Sequence, residues 1–255
     1  MDLKIVIVGA GPVGLITALN LVKEGIDVTL LETLPDVEDS PRAMGYGPAG
    51  VIELERAGVA AEARAVGMDE SMYEANLRWI TIDGKEVASL NTGMVKDGYP
   101  PVMCGQNALA HIIKRHLSKY PNGRVLWNHT VTAIEQTSDQ VIVTCSTPDG
   151  EKKITGTYLI GADGARSTVR KLIGCSYDGF TYDKQVVATN VMYPFSEYGY
   201  SEGQFIIHPE HFALIGKIDP SGLYRVSYGE DGNLSYDEVY PTVRELTLGT
   251  CQSGL

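Results

Sequence analysis

Near its start the chain carries a run in which apolar positions are continuous and do not alternate, Ile5 to Val8 in "LKIVIVGAGPVGLITALNLVKEGIDVTLLE". A short run of that kind fits a strand covered on both faces, as in a parallel sheet. Helical spacing follows at once. Pro12 suits a first helical turn, where its missing N–H would be unpaired anyway, and Gly25 can close the helix in a left-handed conformation. The second strand is read as Asp27 to Glu32, which completes a β-α-β unit. A polar connection, "LPDVEDSPRAMGYGPAG", comes next, and its Asp36, Glu38 and Asp39 read as a solvated loop. Helical spacing resumes over "VIELERAGVAAEARAVG".

Alternation replaces helical spacing over "WITIDGKEVASL", where Asp83-Gly84 is a strong hairpin signal. "QNALAHIIKRHLSKY" returns to a helical period, and "VLWNHTVTAIEQTSDQVIVTCSTPDGEKKITGTYLIGAD" supplies several strands in succession. Beyond Gly174 the chain is β-rich and tyrosine-rich. This stretch is expected to build a second, mostly antiparallel sheet, joined by the Asp83-Gly84 hairpin.

Composition narrows the classes of partner. A formal charge of −11 and a pI near 4.9 argue against nucleic acid or an anionic membrane surface, because like-signed fields oppose encounter. The four cysteines show no C-x-x-C spacing, which favours reduced thiols over a disulfide frame or zinc site. "IVIVGAG" is too short for a membrane span and has no basic leader, so no secretory signal is read and a cytoplasmic location is expected.

The first chemistry-bearing motif is "GAGPVG", with Gly9, Gly11, Val13 and Gly14, set after a strand and before a helix. One glycine permits the turn, the next lets backbone approach a pyrophosphate, and the third lets helix and strand pack closely. The helix N-terminus then presents N–H groups and a partial positive charge to an anion. Glu32 stands where a carboxylate accepts hydrogen bonds from ribose hydroxyls and repels a 2′-phosphate. A dinucleotide, FAD or NAD, follows; the motif does not choose between them.

Four dispersed segments together are more specific. "GAGPVG" with Glu32, "PRAMGYGPAGVIELERAGV", "GQNALAHIIKRHL" and "YLIGADGARSTVRK" occur in the order found in the single-component FAD-dependent aromatic hydroxylases, which this chain resembles. The resemblance implies an α/β fold: a Rossmann-like FAD-binding domain (residues 1–75 and 102–175) and an antiparallel β-sheet substrate domain (76–101 and 176–255). It also implies hydroxylation of a small aromatic substrate with FAD, NADH or NADPH, and O2. By that resemblance Asp163 lies near the FAD pyrophosphate and ribityl side, against the plainer reading of a strand-to-helix turn capped by Ser167. Arg42 lies near the flavin and supplies catalytic positive charge, against a surface arginine beside the acidic loop. Gln106 helps hold the pyrophosphate, and Val131 touches the adenine side through its backbone.

The chain departs from the pattern at its C-terminus. It holds no "GDAAH"-like segment, so truncation is expected, with completion by a homodimer as one remedy. A catalytically silent FAD-fold binding protein and a different flavin or nicotinamide oxidoreductase stand as alternatives. His208 and His211 in "HPEH" read as loop residues and not as metal ligands. Tyr193, Tyr224 and Tyr228 read either as substrate-pocket phenols or as half-buried strand tyrosines.

Overall fold

The computed structural model describes residues 3–67, 76–91 and 99–232. These fall into two compact units, residues 3–67 with 99–178 and residues 76–91 with 179–232.

The first unit begins as the apolar pattern requires, with β1 (Lys4–Val8), α1 (Pro12–Lys23) and β2 (Asp27–Leu31). The second strand ends at Leu31, so Glu32 stands just past the strand and not within it. β3 (Gly45–Tyr46) follows. The single helical stretch expected next is two helices, α2 (Pro48–Ala57) and α3 (Ala60–Val66), because Gly58 adopts φ 78 and closes the first. After the residues of the second unit come β6 (Val102–Met103), α4 (Gln106–Leu117), β7 (Gly123–Leu126), β8 (Thr130–Gln136), β9 (Val141–Thr147), β10 (Gly150–Gly156), β11 (Tyr158–Gly161) and α5 (Thr168–Leu172).

Four strands form a parallel sheet in the order β11-β1-β2-β7. Both of its faces are covered. Ile5 and Ile7 pack with Leu15, Leu19 and Ile113 of the helices, while Val6 and Val8 pack with Val131, Val143 and Cys145 of the antiparallel β10-β9-β8 sheet. Two different cores on alternate residues are the physical reason the run from Ile5 to Val8 contains no polar position. Gly156 lets β10 cross β1 closely: a Cβ there would stand 2.8 Å from Val6 Cγ2 and 3.0 Å from Lys4 O.

The second unit is a six-stranded sheet of β12 (Lys184–Met192), β15 (Leu223–Asp231), β14 (Ala213–Lys217), β13 (Gly203–Ile207), β4 (Asn76–Thr81) and β5 (Glu86–Asn91), in that order. The Asp83-Gly84 hairpin joins it as expected, through β4 and β5. All pairings are antiparallel except β13 with β4, which is parallel. Trp79 and Phe205, side by side across that parallel pair, stack at 5.3 Å.

Candidate functional site

A cleft of about 480 Å³ opens in the first unit, where the parallel strands β1, β2 and β11 end. Ligands of open α/β sheets bind at that edge. The cleft collects Gly9, Gly11, Val13, Glu32, Arg42, Gln106, Val131 and Asp163 on one wall or another. Gly14 is the one predicted site residue outside the lining, and it is buried.

The glycines divide their work. Gly9 has φ 102, and a Cβ on it would stand 2.6 Å from Ala162 O and 2.9 Å from Asp163 Cα. The two glycine-containing turns, more than 150 residues apart, therefore touch backbone to backbone through Gly9. Gly14 serves packing: its Cβ would lie 1.9 Å from Gly9 O, so only hydrogen fits between α1 and the turn that follows β1. Gly11 is different. Nothing stands within 4 Å of where its Cβ would be. Its freedom from side chain leaves space in the cleft and serves no protein contact. No side chain caps α1 and no acidic residue sits in its first turn, so the N-terminal N–H groups have no carboxylate of their own helix.

Glu32 is held by backbone donors on both oxygens. Ala10 N–H donates to Oε2 at 2.7 Å and Leu34 N–H to Oε1 at 3.0 Å. The carboxylate thus ties the first turn to the chain leaving β2, and each oxygen keeps a further lone pair.

Asp163 is more engaged than the sequence indicates. Its Oδ1 accepts from Ser167 Oγ at 2.6 Å, and its Oδ2 accepts from the N–H groups of Thr168 and Val169 at 2.6 and 3.1 Å. Ser167 in turn caps Arg170 N–H. The plainer reading, a capped strand-to-helix turn, thus describes the local structure correctly, and that same turn contributes to the cleft. The carboxylate rigidifies the turn, which lines the cavity through Ala162, Asp163 and Gly164.

Arg42 adopts φ 34, in the left-handed region, an arrangement costing a β-carbon-bearing residue on the order of 1–3 kcal/mol. Its neighbours hold it there. The N–H of Gln106 is shared between the carbonyls on either side, Pro41 O at 2.8 Å and Ala43 O at 2.9 Å, and Asn107 Nδ2 donates to Asp39 O at 3.0 Å. Gln106 therefore acts through its backbone on the Arg42 loop. The Arg42 guanidinium pairs with Glu38 at 2.6 Å.

Val131 is buried with the second core and borders a bulge in the β8-β9 pairing. The acidic stretch is a loop with exposed side chains, as its charge predicts, and its Asp36 and Glu38 also border the cleft. Lys114 of α4 bonds Asp36 and keeps its carboxyl below the ordinary range; the same ammonium lies 5.1 Å from the Trp127 ring centroid. Asp39 alone points away, its side chain 96% exposed. Trp127, His129 and Asn107 also line the cleft and were not singled out from sequence. The pairing of β7 with β2 delivers Trp127 and His129, and parallel pairing over that distance leaves no local signature.

The tyrosines resolve into the second unit. Tyr224 is buried against Phe195, and Tyr193 stacks on Tyr198, as members of one aromatic cluster. His208 Nδ1 accepts the N–H groups of Glu210 and His211, a loop-forming role.

The chain matches the family model described as an FAD binding domain over residues 2–228. The chain belongs to that FAD-binding family. The resemblance to aromatic hydroxylases read from four dispersed motifs is borne out, and the choice the first motif left open falls on FAD. Para-nitrophenol 4-monooxygenase of Pseudomonas sp. (strain WBC-3) is 40% identical over 240 residues, which is 92% of this chain and 58% of that protein. The 6-hydroxy-3-succinoylpyridine 3-monooxygenase of Pseudomonas putida is 32% identical over 94% of this chain and 61% of its own length. Among solved structures, p-nitrophenol 4-monooxygenase from Pseudomonas putida superposes with a TM-score of 0.88 at 37% identity, over 96% of this chain and 62% of that one. This member of the FAD-binding family thus spans about three fifths of the length of these relatives. Among the described residues no helix is long and apolar enough to cross a membrane.

Proposed function

We propose that the cleft of the first unit holds FAD, and that the chain acts as a monooxygenase that hydroxylates a phenol-like aromatic molecule with NADH or NADPH and O2. The observation that carries this reading is the backbone contact of Gly9 with Ala162 and Asp163, which joins both glycine turns to one cavity. The residues fit the cofactor. The uncapped start of α1 offers N–H groups to a diphosphate, and open space at Gly11 lets it approach. Glu32, already oriented by Ala10 and Leu34, has lone pairs for ribose hydroxyls. Gly9, Gly14 and Asp163 position these groups; Val13 and Val131 are apolar walls, and Gln106 sets the Arg42 loop.

Bound FAD supplies electron transfer and oxygen activation, which no side chain of the protein can perform. Arg42 contributes positive charge at the cavity, where fixed charge stabilises developing negative charge. The phenol class is supported by the relatives, which include a para-nitrophenol 4-monooxygenase and a pentachlorophenol 4-monooxygenase. A cytoplasmic location is supported by the buried, unpaired thiols of Cys104 and Cys145; burial pushes the Cys104 thiol up to about 11.

The test is oxidation of NADH and NADPH by the FAD-loaded chain with a panel of para-substituted phenols, scoring hydroxylated product against hydrogen peroxide. Coupled product is expected. FAD binding without nicotinamide oxidation would overturn the monooxygenase reading and leave a binding protein.

A further inference from the structure

The mouth of the cleft carries two carboxylates, Asp36 and Glu38, although its proposed ligand is a diphosphate. Like charge at that place opposes entry. Lys114 neutralises Asp36 from α4. Glu38 has a different partner, the Arg42 guanidinium, at 2.6 Å through Oε1 and 2.5 Å through Oε2. Both contacts run to the one nitrogen Nη2, a charge-assisted pairing that a phosphate oxygen can make as well as a carboxylate oxygen.

Backbone and side chains of this loop are held very differently. Gln106 N–H clamps the carbonyls on both sides of Arg42, and Asn107 fixes Asp39, so the position of the Arg42 Cα is set by α4. The ion pair itself is open to water, with 57% of the Arg42 side chain and 44% of that of Glu38 exposed. A solvent-exposed pair of this kind contributes little to stability and is readily exchanged.

We propose that Glu38 is a displaceable internal carboxylate: it occupies the Arg42 guanidinium while the cleft is free of FAD and is exchanged for an anionic group of the cofactor on binding. The proposal rests on the reading of the cleft as the FAD site. Exchange of one anion for another keeps the guanidinium paired throughout, at the cost of affinity, because Glu38 competes for the cation and repels the diphosphate.

The experiment is FAD titration of the deflavinated full chain, read by flavin fluorescence, for the wild type, Glu38→Gln, Arg42→Gln and the double variant. Glu38→Gln is expected to tighten FAD by about two- to five-fold, the range of one exposed ion pair. In the Arg42→Gln background the same change should fall below about two-fold, because the competition no longer exists. Glu38→Ala serves as a second variant should the amide perturb the loop. Unchanged or weaker binding in both Glu38 variants, or an equal gain with and without Arg42, would overturn the proposal. A wild type that retains no FAD overturns it together with the reading of the cleft. A wild type that binds FAD but does not respond at Glu38 overturns the proposal alone.

Discussion

Three glycines within one turn separate folding from binding at the scale of single residues. Gly9→Ala places a methyl 2.6 Å from Ala162 O at φ 102, combining backbone strain with overpacking. A loss of about 2–5 kcal/mol in stability is expected by denaturant unfolding, with FAD retention lost as well. Gly14→Ala should behave alike, since its methyl meets Gly9 O. Gly11→Ala should not: its φ of −68 is ordinary and its surroundings are empty. Stability within about 0.5 kcal/mol of the wild type is expected there, with FAD affinity reduced at least about ten-fold if diphosphate occupies that space. Equal FAD affinity in Gly11→Ala would move the diphosphate elsewhere. Glu32→Ala removes the acceptor for two backbone N–H groups, so it should lower both FAD affinity and the unfolding free energy of the FAD-free protein, the latter by about 1–3 kcal/mol.

Among elements, α4 has the widest influence on the site. Its N-terminal Gln106 and Asn107 hold the Arg42 loop, and its Lys114, about two turns further along the helix, pairs with Asp36. Asn107→Ala should cost about 1 kcal/mol and weaken FAD binding, because Asp39 O loses its donor and the Arg42 strain is less well opposed. Thermal melts with and without FAD check both halves of that expectation. The helical period of "QNALAHIIKRHL" was legible, and so was its start at Gln106. What it holds was not, since hydrogen bonds from Gln106 to Pro41 and Ala43 span a separation that periodicity does not encode. The acidic stretch is solvent-facing as its charge indicates, with the Asp36 and Glu38 side chains about half exposed; that both also border the cleft depends on the same distant contacts.

For the whole molecule, a ligand of the native first unit must raise its stability by mass action. FAD at about 100 times its dissociation constant adds roughly 2.7 kcal/mol. For a chain of this size that corresponds to a rise of about 5–10 °C in melting temperature. Should the two units melt separately, the rise belongs to the first unit's transition, because every residue lining the cleft lies there. A shift confined to a transition assigned to the six-stranded sheet would contradict the location of the site.

The β-α-β opening, the hairpin at Asp83-Gly84 and the FAD-type motifs were determined by the sequence alone, because each rests on local rules: apolar period, turn chemistry and glycine spacing. Tertiary structure alone decided that Gly9 meets Ala162, that the chain leaving β7 brings Trp127 and His129 to the cleft beside the end of β2, and that the Asp163 turn forms part of that same cleft. Those outcomes depend on which distant strands pair and how closely backbones approach, and that is set by burial of two cores at once, not by any neighbour along the chain.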